Sequence, residues 1–557
     1  MKNWKNIFFG LIIVVAVILR FWGLGSVPPS PNWDEVALGY DAYSIGLTGR
    51  DEYGKLLPVV LQSFDDYKPA LYSYLAIPAV FAIGLNTVAV RLPSAIFGVI
   101  AVIATFYLVK TLFENYKFRD PLALISSFFM AISPWSIQFS RVGFESNVGG
   151  ALNILAVLFF LKGLKNPILL SVSAVCAALS IHVYQSEKVF TPLLVLILAA
   201  VYIKKLFAIP KKYLIVSALL GAIVIFPLVF NILTDKSTLL RARGTSIFAK
   251  QTEILEENVN RLESDKERGD VVGTILDNRR VVYAKAIVGG YLSHFDLNWL
   301  FIRGDIGRHH APGMGLLYLF ELPLILVGIY MLIFGKFDIR TKLTIFLWFL
   351  ATPIPASITT EVPHAVRTLN FLPIWQIFSA LGLLTAYIFV KGLLLRLKTQ
   401  DLRRYLLILG LTSYILFAVF NFSYYINQYF VQLNYYTSNE WQYGYKEAVE
   451  TVKSIEHKYN KIIVSDKRPL DKSYMFFLFY LKYPPSEYQQ IGKDSAGGYW
   501  AQHHFGKYEF RPLNWIEDSK EKGVLFVGTA DEIPEEANVI KTIRYIDGTI
   551  AIKIAQT

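Results

Sequence analysis

Long apolar stretches recur along most of this 557-residue sequence, and they restrict its possible folds more than any other feature. A helix needs about 20 mostly apolar residues to cross a lipid bilayer. Eleven stretches approach that length: 7–24, 92–112, 121–138, 146–161, 168–184, 189–203, 213–232, 313–334, 342–358, 370–391 and 405–422. Only 18% of the residues are charged, against about 25% in soluble domains. The sequence predicts an α-helical polytopic membrane protein with about eleven transmembrane helices.

The charged residues between these stretches predict an orientation. If the N-terminus is cytoplasmic and the shorter apolar run 69–85 does not cross, six loops become cytoplasmic. They hold nineteen Lys or Arg and four Asp or Glu: 1–6, 110–120, 162–167, 204–212, 335–342 and 391–404. This is the positive-inside pattern. We therefore predict a multi-pass protein of the cytoplasmic membrane, an interfacial helix at 69–85, and an extracytoplasmic C-terminus.

The same loops explain the formal net charge of +12, so we expect no nucleic-acid partner. The single cysteine, Cys176, excludes an intramolecular disulfide and a CxxC metal site.

Two domains are predicted. Residues 1–429 form the membrane domain, which includes an outer loop at 25–91 and a longer outer loop at 233–312 with a charged helix at 253–269. Residues 430–557 contain an amphipathic helix pattern (446–459) and short apolar strands such as GVLFVG (523–528). This tail is predicted to be a small extracytoplasmic α/β domain.

An acid pair, Asp34 and Glu35, stands where the first apolar stretch ends. One interpretation is helix capping, in which Asn32 or Asp34 caps the helix and the acids favour its positive end. The other is a general base at a membrane-surface cavity, where partial desolvation near aromatic residues tunes a carboxylate. The two roles are compatible.

A second acidic segment, SFDDYKPALYSYL (63–75), contains Asp66 and Lys68. Lysine is a good point-charge ligand for phosphate. The alternative is interfacial anchoring, because Lys and Tyr are common at headgroup level.

Several basic and aromatic residues lie at the predicted outer ends of spans, against the positive-inside trend. They are Arg91, Arg141, His182, Tyr184, Lys188, His310, His364 and Arg367. A single cation there can simply extend toward the interface. Several at different outer ends, with acids nearby, favour a site for an anionic substrate.

The adjacent His309 and His310 are weak evidence for a metal, because no partner follows at i+4 spacing. We therefore predict no metal ligands and no required cofactor, although the sequence leaves room for a divalent ion.

The ordered motifs WDE (33–35), DDYKPALYSYL (65–75), RLPSAIFG (91–98), SPWSIQFSR (133–141) and VPHAVRTLNFLP (362–373) resemble a known group. It is the GT-C class of integral-membrane glycosyltransferases, in particular the branch of protein mannosyltransferases and lipid A aminoarabinose transferases (families 39 and 83). The resemblance covers the first 200 residues well and the late spans loosely.

The resemblance implies inverting transfer of a sugar from a polyprenyl-phosphate donor to a protein, lipid or glycan acceptor. Asp34 falls on the catalytic base, Glu35 on the second acid of that motif, and Lys68 on the lysine that contacts the donor phosphate. Arg91, Arg141 and Lys188 are expected to help neutralise the leaving phosphate. Tyr67 replaces the glutamate of the aminoarabinose transferases, which leaves any role of Asp66, or of a metal there, without support.

Three other interpretations remain. A transporter or flippase for lipid-linked sugars predicts acids near the middle of the spans and an inverted repeat; the acids here cluster at outer ends instead. A scaffold with a degenerate site predicts that changing Asp34 has no effect. An oligosaccharyltransferase-like enzyme would carry a WWD-type acceptor motif, which this sequence lacks.

Overall fold

The computed structural model describes residues 3–64, 66–235, 244–249, 251–398, 401–491 and 503–557. Its α-helices are Asn3–Phe21, Trp33–Thr48, Leu71–Ile83, Thr87–Leu112, Arg119–Ile132, Pro134–Ser140, Glu145–Gly163, Leu169–Ile181, Glu187–Val201, Ile203–Phe207, Lys211–Thr234, Gln251–Glu267, Val271–Leu276, Arg279–Ser293, Glu321–Phe334, Ile339–Ala351, Ile354–Ser357, Ile374–Arg396, Leu402–Asn427, Leu433–Thr437, Tyr445–Ile455, Ser473–Leu481, Pro485–Ile491 and Trp515–Asp518. Short π-helices (Trp299–Arg303, Gln428–Gln432) and 3-10 helices (Leu369–Phe371, Glu456–Lys458) supplement them.

The predicted helical architecture with several apolar helices is observed, but the count of eleven spans is not confirmed. Within the described part of the chain, six helices are long and apolar enough to cross a bilayer: Trp4–Phe21, Thr87–Leu112, Glu145–Gly163, Lys211–Thr234, Leu369–Arg396 and Leu402–Thr437. Arg119–Ile132 and Pro134–Ser140 add a seventh if they form one span bent by 56°, a bend that coincides with Pro134. Other predicted spans contain shorter helices, such as Leu169–Ile181.

By their contacts the residues divide into two compact units. We call one the bundle unit (1–13, 101–136 and 149–421) and the other the loop–tail unit (14–100, 137–148 and 422–557). In the bundle unit, helices Glu321–Phe334 and Ile374–Arg396 pack at very short range. A Cβ on Gly328 would lie 1.9 Å from the carbonyl oxygen of Phe378, and one on Gly382 would lie 1.9 Å from that of Leu324. Glycine at both positions therefore permits this backbone contact.

The loop–tail unit contains a six-stranded mixed sheet. Its strands, in spatial order, are His503–Phe505, Tyr508–Phe510, Lys461–Val464, Val524–Gly528, Ile550–Gln556 and Asn538–Arg544. The central strand Lys461–Val464 pairs in parallel with both neighbours, and the other pairs are antiparallel. The predicted tail strands thus belong to one mixed sheet. The extracytoplasmic location of the tail and the boundary at residue 430 stay predictions.

One hydrophobic core joins the tail to the first loop (25–91), whose outer location stays a prediction. Val36 and Tyr40 of helix Trp33–Thr48 belong to the same buried cluster as Tyr445 and Phe479 of the tail. The contact with Phe479 is close, because a Cβ on Gly39 would lie 2.7 Å from its ring. The tail therefore fixes the helix that begins with the acid pair.

Two predicted helices in the outer loops are present. The run 69–85 contains the 13-residue helix Leu71–Ile83, whose interfacial placement stays a prediction. It follows a hairpin of Val60–Ser63 and Asp66–Pro69. The charged helix expected at 253–269 is Gln251–Glu267; residues 236–243 and 250 of that loop lie outside the described residues.

Candidate active site

The acid pair opens helix Trp33–Thr48, and a capping box fixes its first turn. The side chain of Asn32 accepts a hydrogen bond from the backbone N–H of Glu35 at 3.0 Å. The Glu35 carboxylate accepts one from the N–H of Asn32 at 3.1 Å. Reciprocal bonds of this kind satisfy two otherwise unpaired donors at a helix start. The capping interpretation is therefore confirmed for Asn32 and Glu35.

Glu35 is also half of a buried ion pair. Arg91 donates from Nε to Oε1 at 2.8 Å and from Nη2 to Oε2 at 3.2 Å, and neither side chain is more than 1% exposed. The N–H of Gly143 donates to Oε1 at 2.9 Å. The remaining Arg91 donors bind three backbone carbonyls between residues 24 and 30 at 2.7–2.9 Å. This pair anchors the first loop to the start of helix Thr87–Leu112.

Arg141 is anchored in a similar way. It donates to three carbonyls between residues 19 and 27 at 2.9–3.2 Å and lies over the rings of Tyr429 and Phe430. It is fully buried. The phosphate contacts predicted for Arg91 and Arg141, and the catalytic role of Glu35, stay predictions, and the observed bonding favours structural roles for all three.

Asp34 has a different environment from its neighbour. Its side chain is 37% exposed and forms an ion pair with the Nζ of Lys68, whose own side chain is 7% exposed. Lys68 lies on strand Asp66–Pro69 opposite Leu61. The structure therefore joins the predicted base and the predicted phosphate ligand in one ion pair, and the carboxylate side chain stays partly exposed. The side chain of Asp66 lies outside the described residues.

Lys472 of the tail completes this corner, and the sequence analysis did not identify it. Its Nζ lies 4.6 Å from the ring centroid of Trp33 and 4.5 Å from that of Phe64. Trp33 precedes Asp34, and Phe64 also lies 5.7 Å from the Nζ of Lys68. The sequence near Lys472 contains no motif that predicts this contact, because the contact depends on the tertiary fold of the tail.

A second group of acids lies deeper in the first loop. Asp41, Asp51 and Glu52 are at most 2% exposed. Burial, and then their mutual repulsion, raise the pKa of Asp41 and of Glu52 well above the ordinary carboxyl value, while the Lys68 charge lowers both. Asp41 accepts the N–H of Glu52 at 3.2 Å. The sequence analysis did not select these acids.

The bundle unit contains a separate polar cluster of Asp305, His309 and His364. One ligand atom of each lies within 4.8 Å of the others. His309 Nδ1 lies 3.0 Å from Asp305 Oδ2, and His364 Nδ1 lies 4.0 Å from it. The Ala365 N–H donates to the same oxygen at 2.6 Å. Among the described residues, the buried His364 Nδ1 has no hydrogen-bond partner.

The protonation states of this cluster suit a metal. Burial lowers the pKa of His309 and, still more, that of His364. Burial would raise the pKa of Asp305, but the His309 hydrogen bond and the nearby imidazoles hold it below its usual value. Neutral imidazoles and a carboxylate are the forms that bind divalent ions. These residues therefore fit a divalent metal, which the sequence analysis did not predict here.

The histidine pair is divided by this arrangement. His309 faces Asp305, whereas His310 contacts the carbonyls of Ala311 at 2.8 Å and of Asp305 at 2.7 Å. Arg367 donates to Thr359 Oγ1 at 2.7 Å and lies 3.7 Å from the exposed Glu361. The predicted substrate roles of His310, His364 and Arg367 stay predictions.

The remaining candidates lie near the start of helix Glu187–Val201. His182 Nε2 contacts the carbonyl of Val224 at 2.7 Å, Tyr184 is buried, and Lys188 is half-buried. Their substrate and phosphate contacts stay predictions.

Beside Lys188, Glu187 belongs to a buried hydrogen-bonded cluster that the sequence analysis missed. It accepts hydrogen bonds from the amides of Asn153 at 2.6 Å and Asn370 at 2.7 Å.

Comparisons with known proteins show which folds this architecture is similar to. No family model matches the sequence, and no curated protein matches it. Solved structures do match. ArnT from Cupriavidus metallidurans bound to undecaprenyl phosphate aligns over 98% of this chain and 97% of its own, with 12% identity and a TM-score of 0.54.

The oligosaccharyltransferase AglB from Archaeoglobus fulgidus, in complex with an inhibitory peptide and a dolichol-phosphate, aligns over 86% of this chain with 14% identity and a TM-score of 0.51. This chain spans 64% of that protein's length. Both are GT-C glycosyltransferases. The chain is therefore a helical membrane protein with the GT-C fold.

Proposed function

We propose that this protein transfers a sugar from a polyprenyl-phosphate donor to an acceptor on the extracytoplasmic face, with inversion at the anomeric carbon. The observation that carries the proposal is the Asp34–Lys68 pair. It places a partly exposed carboxylate and an ammonium together on the first loop, while the adjacent Glu35–Arg91 pair holds that loop rigid.

The chemistry needs one base and one stabilised leaving group. Asp34 accepts the proton of the acceptor hydroxyl as its oxygen forms a bond to the anomeric carbon. The bond from that carbon to the phosphate oxygen breaks on the opposite face, and polyprenyl phosphate leaves with the electron pair. Lys68 offsets the negative charge of the phosphate. A single displacement of this kind inverts the anomeric configuration.

Two further observations support the donor class and the location. The structural neighbours are described as bound to undecaprenyl phosphate and in complex with a dolichol-phosphate. The phosphate of such a donor lies at headgroup depth, and the first loop begins where the apolar helix Asn3–Phe21 ends. The charge pattern of the loops assigns this end to the outer face. The sugar and the acceptor are not assigned.

The test is sugar transfer by the full chain in lipid vesicles, with a panel of radiolabelled polyprenyl-phosphate sugars and crude membrane acceptor. Native protein should transfer one of these sugars, and Asp34→Asn should abolish transfer while donor binding remains. Asp547→Asn, a change in an exposed turn of the tail, is the matched control. The anomeric configuration of the product, read by NMR, should be opposite to that of the donor.

The same assay separates the alternatives. A flippase would move labelled donor between leaflets without transfer, and a scaffold would show no transfer at all. If Asp34→Asn transferred sugar at the native rate, Asp34 would not be the base, and the acid pair would have only structural roles: the capping box and the ion pairs with Arg91 and Lys68.

We also propose that Asp305, His309 and His364 hold a divalent transition metal such as Zn²⁺. Two imidazoles and a carboxylate are a common ligand set for this ion, and His364 Nδ1 is buried without a protein partner among the described residues. The ion would hold the loop at 305–310 to the turn at 359–368. The expectation that the chemical step needs no cofactor is unchanged by this structural role.

Metal content per purified chain tests this directly. We expect about one Zn²⁺ per native chain, and a loss of most of it in Asp305→Asn and in His364→Gln. His504→Gln, which removes an exposed histidine on a tail strand, should keep the metal. Equal metal content in all four proteins would contradict the site.

A further inference from the structure

A polar cavity of about 580 Å³ lies in the bundle unit, among four segments that are far apart in sequence. These segments belong to loops 110–120, 162–167, 204–212 and 335–342 or border them, and the charge pattern predicts that all four face the cytoplasm. Six basic residues line the cavity: Lys110, Arg119, Lys162, Lys165, Lys205 and Arg340. Only two acids line it, Glu114 and Asp338.

The positive charge of the cavity is only partly neutralised by the protein. Lys165 forms an ion pair with Glu114, and Lys110 and Arg119 each lie 3.6 Å from an oxygen of Asp120. Within the described ranges, no ion pair joins an acid to Lys162, Lys205 or Arg340. Lys162 and Lys205 lie over the rings of Tyr107 and Tyr202 instead, with Nζ 5.1 and 5.8 Å from the ring centroids. Cations that outnumber the acids around a cavity attract an anion into it.

Buried side chains and hydrogen bonds hold the walls of the cavity in place. Tyr202 is 5% exposed, and its hydroxyl accepts a hydrogen bond from Thr344 at 3.3 Å. Thr341, also 5% exposed, donates to the carbonyl of Leu112 at 2.8 Å. The last bond ties helix Ile339–Ala351 to the end of the candidate span Thr87–Leu112. The cavity therefore has a fixed floor at the depth where spans end.

Apolar residues show which kind of anion fits. Four leucines also line the cavity: Leu112, Leu161, Leu164 and Leu169. Large apolar side chains close in sequence to the lining residues are exposed. Ile168 is 52% exposed, Ile339 is 62% exposed, and Phe207, two residues beyond Lys205, is 81% exposed. Such exposure suits contact with lipid tails. A small soluble anion would use the cations and not the apolar surroundings.

We propose that this cavity binds the phosphate headgroup of an anionic phospholipid of the cytoplasmic leaflet. Basic pockets between transmembrane helices on this side are suited to such headgroups. The phosphodiester contacts Lys162, Lys205 and Arg340, and the acyl chains follow the exposed apolar side chains into the bilayer. This site is independent of sugar transfer, since it uses none of the residues assigned to that reaction.

The test is native mass spectrometry of the full chain in mild detergent with short-chain probes. The probes are dioctanoyl phosphatidylglycerol, dioctanoyl phosphatidylcholine and inorganic phosphate. We expect native protein to bind the anionic lipid at least about tenfold more tightly than the zwitterionic one. The triple variant Lys162→Gln/Lys205→Gln/Arg340→Gln should lose this preference.

The matched control removes the same charge from the same predicted face. Lys204, Lys211 and Lys212 are exposed and do not line the cavity, so Lys204→Gln/Lys211→Gln/Lys212→Gln should keep the preference. Equal losses in both triple variants would show a diffuse surface charge and overturn the proposal. Inorganic phosphate that binds as tightly as the lipid would also overturn it. Should the cavity triple variant not fold, Lys205→Gln alone must weaken the anionic lipid about threefold or more.

Discussion

Two acid–base pairs stand side by side in the first loop and are built for different purposes. Glu35 and Arg91 are buried and joined by two hydrogen bonds. Backbone groups take up their remaining hydrogen-bonding capacity. Asp34 and Lys68 share one ion pair, and Asp34 keeps more than a third of its side chain exposed. A saturated buried pair has no capacity left for a substrate, whereas an open one does. Adjacent acids in one motif therefore separate into a structural residue and a candidate catalytic residue.

The largest expected effect is on the open pair. Asp34→Asn should lower kcat about 10²–10⁴-fold, the usual contribution of a general base. Its melting temperature should stay close to that of native protein, because a partly exposed ion pair contributes only about 0–1 kcal/mol. Transfer kinetics and thermal unfolding in detergent measure the two effects. A parallel loss of stability and rate would place Asp34 with Glu35 as a structural residue and remove the contrast.

The buried pair should respond in the opposite sense. Arg91→Leu leaves Glu35 charged, buried and without its cation, which typically costs about 3–5 kcal/mol. Denaturant unfolding should show this loss, and whatever protein remains folded should transfer sugar at a near-native rate. Arg468→Leu, at an arginine with 83% side-chain exposure, is the control and should change stability little. Native stability with lost transfer would mean that Arg91 contacts the donor, as the resemblance implied.

Sequence patterns predicted the helical fold and selected Asp34 and Lys68 as separate candidates, because these inferences depend on local features. They did not predict the contact between the two residues, which are 34 positions apart. Apolar length predicts helices, and a short acidic motif at a span end identifies Asp34. The apolar run 168–184 was counted as a full span, but its helix is the shorter Leu169–Ile181, because composition does not say where a helix begins or ends within an apolar run.

The long-range partners could not be predicted. Glu35 and Arg91 are 56 residues apart, and Lys472 reaches Trp33 only through the shared core of the tail and the first loop. The adjacent His309 and His310 gave only weak evidence for a metal. The backbone turns His310 toward two carbonyls and brings His364 to His309 instead. Such contacts follow from tertiary packing, which no local pattern encodes.

Substitutions of Lys68 separate its role in donor binding from the catalytic role of Asp34. Lys68→Ala should raise the donor KM about tenfold to a hundredfold, since a hydrogen bond to a charged group contributes about 1.5–3 kcal/mol. Lys68→Arg keeps the charge and should recover part of the affinity. Steady-state kinetics at varied donor concentration measure this. A fall in kcat with an unchanged KM would show that Lys68 acts only by positioning Asp34.

The buried acids beneath the pair predict a pH dependence of stability. Because the folded-state pKa values of Asp41 and Glu52 are raised, the stability they contribute is fully present below the unfolded carboxyl pKa, near 4. That stability is lost as pH rises through the raised folded values. Asp41→Asn should therefore stabilise the protein by about 1 kcal/mol or more at pH 8 relative to pH 5. Melting temperatures at both pH values measure it, and Asp547→Asn should show no such gain.

The smallest expected effect concerns the tail. Lys472 lies over Trp33 and Phe64, the two aromatic residues that flank the open pair, and each cation–π contact contributes about 0.5–1 kcal/mol. Lys472→Gln should therefore slow transfer about threefold by loosening Trp33 next to Asp34, and Lys472→Arg should restore the rate. Since Lys472 touches no predicted substrate atom, the effect should appear in kcat and spare the donor KM. A raised donor KM with kcat intact would instead make Lys472 a second phosphate ligand beside Lys68, and the open pair would become an open triad that the tail completes.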